Sequence, residues 1–282
     1  MKTGLILEGG AMRGMFTCGI IDVMMEQGTQ FDGAIGVSAG AVFGCNYKSN
    51  QIGRAIRYNK RFCRDKRYCS FRSLITTGDI YNAKFCYETL PNELDIFDVE
   101  AYRSNPMEFY ATCTDVTTGK PIYHNCMDGG GEDIQWFRAS ASIPMLSRIV
   151  RIGDYQLLDG GIADAIPLSY FESIGYDRNV VVLTRPSGYI KEKNEYLPLA
   201  RVALRKYPNM INAIADRHIR YNATTQMIEE KEKKGEIFVI RPPHALEVGS
   251  TERDPQKLEA VYQCGRQEMT RLLDAMKEFL QS

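Results

Sequence analysis

Residues Gly36-Val37-Ser38-Ala39-Gly40 constrain the architecture of this chain more than any other five residues. The pattern G-x-S-x-G needs a strand that turns into a helix within one residue. Small flanking residues let the backbone double back, and the serine oxygen is left exposed. Both halves of that context are legible: Phe31–Val37 reads as a strand and Ala39–Tyr47 as a helix. Without such flanks the same residues would describe an ordinary strand-to-helix turn with Ser38 as helix cap.

The rest of the chain repeats the strand–helix theme. Leu5–Leu7 reads as a first strand, followed by a glycine loop and a helix over about 13–27 that Gly28 can end. Glu108–Cys113, Val180–Thr184 and Ile237–Ile240 read as further strands, Val180–Thr184 with the continuous apolar run of a buried parallel strand. Residues 255–280 form an amphipathic helix, with Leu258, Val261, Tyr262, Met269, Leu272, Leu273, Met276 and Leu280 at core spacing. Strands alternating with helices predict an α/β fold in which a mainly parallel sheet carries helices on both faces. No repeat or linker divides the 282 residues. The expectation is one domain over 1–282, with motifs in about 4–185 and residues 186–282 packing on the same body.

A formal net charge of zero selects no partner class. The eight cysteines include no C-x-x-C pair and no Cys/His group at zinc spacing, so reduced thiols and no metal are expected. The start Met1-Lys2-Thr3 runs straight into a strand, leaving no room for a secretory leader, and no apolar run is long enough to span a bilayer. A cytoplasmic protein, at most peripheral at a membrane, is the expectation.

Two further segments carry chemistry. Glu8-Gly9-Gly10-Ala11-Met12-Arg13-Gly14 lies between the first strand and first helix, where glycines let successive N–H groups converge on a phosphate or an oxyanion. It is neither a P-loop nor G-x-G-x-x-G, because the lysine is absent and Ala11 stands where the second glycine belongs, so no nucleotide cofactor is expected. Asp159-Gly160-Gly161 follows the hairpin-like Tyr155-Gln156-Leu157-Leu158 and precedes the Ile166-Pro167-Leu168 helix start. The tripeptide recurs as Asp128-Gly129-Gly130, but within a polar, glycine-rich loop. A carboxylate at the end of an apolar strand is better preorganised, which favours Asp159.

With these residues in place, the chain resembles the patatin-like phospholipase family: a Gly-Gly-x-x-Arg-Gly loop, then G-x-S-x-G, then a distal Asp-Gly-Gly, in that order over about residues 4–185. Ala141-Ser142-Ile143-Pro144 resembles another family element before the aspartate. The resemblance implies an α/β/α sandwich, hydrolysis of lipid acyl esters, and a Ser–Asp dyad without histidine, with no cofactor. Carried onto this sequence, Ser38 is the nucleophile between Gly36 and Gly40, and Asp159 is its base beside Gly160 and Gly161. The loop Gly9, Gly10, Ala11, Met12, Arg13 and Gly14 forms the oxyanion hole. Ala11 departs from the glycine pattern; it still donates its N–H, provided the position does not require positive φ.

Other readings stay open on the residues alone. Ser38, Asp159 and His244 occur in α/β-hydrolase order, although Ser38 comes early for that fold and His244 follows the rigid Pro242-Pro243. His124 and His218 read as surface or packed residues. A catalytically silent binding module on the same fold, or acyl transfer to an acceptor other than water, are further alternatives.

Residues 48–72 hold nine basic side chains against the single acid Asp65, with Tyr58, Phe62, Tyr68 and Phe71 interleaved. Nucleic acid is not expected, because no binding motif accompanies the charge. For Arg57, Lys60, Arg61, Arg64, Lys66 and Arg67 two readings stay open: a solvated helical face paired with acids elsewhere in the fold, or a patch facing an anionic membrane at about 1 kcal/mol per basic side chain near the surface.

Overall fold

The computed structural model describes residues 1–281. β1 (Lys2–Leu7) leads through a short 3₁₀ turn, Ala11–Arg13, into α1 (Gly14–Glu26), and β2 (Gly33–Val37) leads into α2 (Ala39–Lys48). A helical insertion follows: α3 (Arg54–Phe62), α4 (Phe71–Thr77), a π-helical stretch Phe85–Leu94, and α5 (Val99–Ser104). Next come β3 (Glu108–Asp115), β4 (Pro121–Asn125), α6 (Gly131–Ser140), the hairpin β5 (Val150–Ile152) and β6 (Tyr155–Asp159), and α7 (Leu168–Ser173). The chain closes with β7 (Tyr176–Val182), α8 (Leu197–Ala203), α9 (Pro208–Lys233), β8 (Ile237–Ile240) and α10 (Pro255–Gln281).

Among the described residues all eight strands join one sheet, in the order β5-β6-β3-β2-β1-β7-β8 with β4 also on β3. The run β3-β2-β1-β7-β8 is parallel, while β4 and β6 run antiparallel to β3. Period-two alternation of side chains explains the layers. Leu5, Leu7, Val180 and Val182 face one core with α1, α2 and α10, whereas Ile6, Ile35 and Val181 face a second with α7 and α9. That is an α/β/α sandwich, and burial on both faces is why β7 reads as an unbroken apolar run. The C-terminal segments are built into it: β8 extends the sheet beside β7, and α10 buries Leu258, Val261, Tyr262, Met269 and Met276 in the core that holds α1.

In the basic segment, three side chains follow the paired-face reading. Tyr58, Phe62 and Tyr68 are buried, and of the four interleaved aromatics only Phe71 stands out, at 75% exposure. Arg57 pairs with Asp95 at 2.7 Å, Lys60 with Glu259 at 2.6 Å and Arg67 with Asp65 at 2.7 Å. Asp95 and Glu259 are remote in sequence, so a count along residues 48–72 could not register them. Arg61, Arg64 and Lys66 are exposed and without an ion pair among the described residues. No helix among those residues is long and apolar enough to cross a membrane.

Candidate active site

Strand pairing brings Ser38 and Asp159 together. β2 runs up β3 until Val37 lies opposite Thr112, while β6 runs down it until Asp159 lies opposite Cys113. β4 occupies the other edge of β3 over Tyr110–Thr114, so β2 and β6 share one edge and meet head to head. The residue after Val37 and the last residue of β6 therefore fall at one point. The close approach needs Gly160, where an added Cβ would lie 2.1 Å from the Thr112 carbonyl oxygen.

Ser38 turns the corner with φ 54 and ψ −120, a conformation that costs a non-glycine residue of order 1–3 kcal/mol. The surroundings hold it there. Its N–H donates to Ser140 Oγ at 2.9 Å, and the Ser140 hydroxyl donates to the Thr112 carbonyl at 2.6 Å. Its carbonyl accepts from the N–H groups of Ala41 and Val42 at the start of α2. The flanking glycines are steric necessities: a Cβ on Gly36 would sit 2.4 Å from the Gly40 oxygen, and one on Gly40 2.2 Å from the Leu7 oxygen.

Asp159 is buried, with 7% of its surface exposed. Oδ1 accepts from the Gly161 N–H at 2.8 Å. Desolvation raises its pKa above the usual carboxylate range; the Ser38 hydroxyl, the Arg217 charge and the Gly161 N–H work in the opposite direction. Its own N–H donates to the Ser142 carbonyl at 2.8 Å, which ties the Ala141–Pro144 segment to the site.

The glycine loop lies alongside. Gly9 and Gly10 follow β1, Ala11, Met12 and Arg13 make the 3₁₀ turn, and Gly14 begins α1. Among the described residues nothing accepts from the N–H groups of Gly10 and Ala11. Ala11 has φ 47, so the position does favour glycine and the departure from the family pattern carries a backbone cost. Beneath the loop, buried Glu8 accepts from the Thr184 N–H and hydroxyl and from the Tyr221 hydroxyl, the last at 2.7 Å.

Two cavities meet at Ser38. One, of about 130 Å³, is walled by apolar groups such as Met12, Val42, Phe43, Tyr58, Leu90 and Phe137. The other, of about 200 Å³, holds Glu8, Asp159, Arg13, Arg185, Lys191 and Arg217. Ala11, Ser38 and Ile143 line both.

The remaining candidates fall elsewhere. Asp128 is half exposed and paired with Arg103. None of the three histidines lines either cavity: His244 is exposed, His124 stacks on Trp136 with ring centroids 4.1 Å apart, and His218 bonds the Ala215 carbonyl from within α9. His124, Cys126 and Asp133 place ligand atoms within 4.8 Å of one another, but Asp133 already accepts two backbone N–H groups and burial pushes the Cys126 thiol well up. That donor set fits a packed structural cluster better than a metal centre.

Sequence reasoning passed over Glu8, Ser140, Thr184, Arg185, Lys191, Arg217 and Tyr221. One signal was available: Thr184 and Arg185 follow a parallel strand at its carboxyl end, where α/β sheets place their ligands. Arg217 and Tyr221 are one helical turn apart on α9, and only the fold brings that helix to the site.

Residues 5–172 match the patatin-like phospholipase family model, and residues 207–281 match a domain of unknown function. Among curated proteins, the chain is 28% identical over 276 residues to the uncharacterized protein YjjU of Escherichia coli K12, covering 94% of this chain and 76% of that one. It is 29% identical over 187 residues to lysophospholipase NTE1 of Phaeosphaeria nodorum, covering 62% of this chain and 11% of that much longer protein. Among solved structures, VipD of Legionella pneumophila aligns with a TM-score of 0.48 and 13% identity, over 97% of this chain and 67% of that chain. With its family match extending over more than half its length, the chain belongs to the patatin-like phospholipase family.

Proposed function

We propose that this protein hydrolyses lipid acyl esters with Ser38 as nucleophile and Asp159 as general base. The observation that carries the reading is the head-to-head meeting of β2 and β6 on β3, which sets a strained serine beside a desolvated carboxylate where two cavities join. Family membership supports lipid-ester chemistry, and the name of the fungal relative, a lysophospholipase, supports a substrate of that kind.

The steps follow from the geometry. The acyl chain enters the apolar cavity and its carbonyl carbon stops at Ser38. Asp159 takes the hydroxyl proton as Oγ attacks, and the N–H groups of Gly10 and Ala11 stabilise the oxyanion. The protonated carboxyl group then gives its proton to the departing alcohol, and water repeats the cycle on the acyl-enzyme. Desolvation makes Asp159 more basic than an ordinary carboxylate, the direction this task needs, and the absence of histidine from both cavity walls favours a dyad over a triad through His244.

A fluorophosphonate probe tests the nucleophile. Labelling at Ser38, together with release of fatty acid from an acyl ester, is the expected result. A folded protein that neither labels nor hydrolyses would instead be a binding module on this fold.

Replacement of loop residues tests the oxyanion hole. Gly10→Pro removes a donor and cannot adopt the observed φ of 179, so kcat should fall by at least about 10². Ala11→Gly keeps the N–H and relieves the positive φ, so stability should stay within about 1 kcal/mol of the parent and activity should survive. A mild effect of Gly10→Pro in folded protein would move the oxyanion donors elsewhere.

A further inference from the structure

Two segments must hold still for chemistry at Ser38, and both are rich in glycine. Asp159 is followed by the 3₁₀ turn Gly160–Ile162, and the oxyanion donors lie in Gly9-Gly10-Ala11. Glycine loses more conformational freedom on ordering than any other residue, so such segments need support from their surroundings. Thr114 gives some from within the sheet, its hydroxyl donating to the Asp159 carbonyl at 2.8 Å. From outside the sheet, one helix reaches both segments. Arg217, Arg220 and Tyr221 stand at i, i+3 and i+4 on α9, which places them on one face. Arg217 Nε donates to the Gly161 carbonyl at 2.6 Å, and Arg220 Nη2 donates to the Ile162 carbonyl at 3.0 Å. Two successive carbonyls of the turn are thus held from one side, while the Gly161 N–H on the other donates to Asp159 Oδ1. One position further along α9, the Tyr221 hydroxyl donates to Glu8 Oε1 at 2.7 Å. Glu8 immediately precedes Gly9, and its Oε2 accepts from the N–H of Thr184, whose hydroxyl lies 3.1 Å from the Gly9 carbonyl oxygen. Apolar contact seats the helix for this reach: Met210, Ala213 and Ile214 share a core cluster with Leu158 and Ile162.

We propose that Arg217, Arg220 and Tyr221 are positioning residues for the dyad and the oxyanion loop, and that α9 is a clamp closing on both segments at once. This rests on the hydrolase reading above and adds what that reading lacks, a task for the C-terminal segment. Ser38, Asp159 and the glycine loop lie within the family match at 5–172, whereas all three clamp residues come from the 207–281 domain of unknown function. Arg220 is the most telling of the three. It lines neither cavity at Ser38, so its influence on turnover has to pass through the Ile162 carbonyl and the turn that carries Asp159. Tyr221 works through Glu8 in the same sense, because the carboxylate it grips is joined directly to the first glycine of the loop.

The test uses the full chain and p-nitrophenyl octanoate, with rates taken on the pH plateau where Asp159 is ionised in every variant. That choice removes the effect of the Arg217 charge on the base. Arg220→Gln and Tyr221→Phe should each lower kcat by about 10- to 100-fold and leave KM within about twofold, as misplaced catalytic groups do. Arg217→Lys, which keeps a donor, should lose less than Arg217→Met. Because Tyr221 acts through Glu8, adding Tyr221→Phe to Glu8→Gln should cost little beyond the slower single change. Parental kcat in folded Arg220→Gln and Tyr221→Phe would make α9 a packing element and overturn the proposal. A raised KM with kcat unchanged would make these residues substrate contacts and overturn it as well, and losses that multiply in the double variant would remove Tyr221 from the clamp. Hydrogen exchange separates these failures from failure of the hydrolase reading. Amide exchange should quicken by about tenfold over residues 159–163 in Arg220→Gln and over 8–13 in Tyr221→Phe, whether or not the protein turns over an ester. A native protein that neither labels with fluorophosphonate nor hydrolyses, but whose variants show that response, keeps the clamp and loses the reaction. Unchanged exchange in variants of an active enzyme overturns the clamp and leaves the reaction standing.

Discussion

Ser38→Ala and Asp159→Asn are each expected to lower ester hydrolysis by about 10⁴-fold or more while leaving the fold intact, because nucleophile and base act as one unit. Asp128→Asn should leave the rate close to the parent value, since that carboxylate is half exposed, engaged with Arg103 and not part of the lining of either cavity. Turnover on a p-nitrophenyl ester, with circular dichroism as a fold check, decides between the two Asp-Gly-Gly segments. An inactive Asp128 variant beside an active Asp159 variant would reverse the assignment. The pH profile provides a second reading of the same group. Burial raises the Asp159 pKa and the base must be ionised, so kcat/KM should fall as pH drops through a value above the ordinary carboxylate range. Arg217 opposes that rise, so Arg217→Gln should push the acid limb further up in pH. An acid limb that stays in place after the Arg217 change would argue that a different group is titrating.

Local patterns were the legible part of this protein. The elbow around Ser38 could be read because its glycines are dictated by contacts with immediate neighbours, Gly36 against Gly40 and Gly40 against the end of β1. Val180–Val182 could be read as a buried strand because both faces of the sheet are covered. Asp159 could be preferred over Asp128 because one ends an apolar strand and the other sits in a glycine loop. What escaped depends on partners far away in sequence. The charge on Arg57 and Lys60 is answered by Asp95 and by Glu259, the latter 199 residues away from its partner. The aromatics among them became walls of the apolar cavity, as Tyr58 and Tyr68 do, because α3 and the turn after it fold back over α2. Likewise nothing local in α9 marks Arg217 or Tyr221. Their roles arise only when that helix crosses the carboxyl ends of β1 and β7. Ala11 lies between the two cases: its motif position was evident, but its positive φ was not.

Glu8 is where the charge of the site and the stability of the fold are coupled, and Glu8→Leu is expected to cost about 3–5 kcal/mol, the usual consequence of removing one side of a buried charged network. Glu8 is buried at the end of β1, and its carboxylate accepts from the Thr184 N–H at 2.5 Å, the Thr184 hydroxyl at 3.1 Å and the Tyr221 hydroxyl at 2.7 Å. Leucine would leave these donors without their acceptor, at about 1–3 kcal/mol for each orphaned group. It would also remove a negative charge from a chamber already dominated by Arg13, Arg185, Lys191 and Arg217. Glu8→Gln keeps the shape and an acceptor for Thr184, and the Tyr221 hydroxyl can rotate to accept from the new amide, so its cost should be clearly smaller. The comparison separates hydrogen bonding from charge. Lys191 provides an internal reporter, because Glu8 supports its protonated form and loss of that carboxylate should lower the Lys191 pKa further below about 8 in both variants. Urea unfolding midpoints measure the first effect and an NMR titration of the Lys191 ammonium the second. A Glu8→Leu protein as stable as the parent would mean that the β1 end, the loop above it and α9 are held together by packing alone, and that Glu8 is not the tie between them.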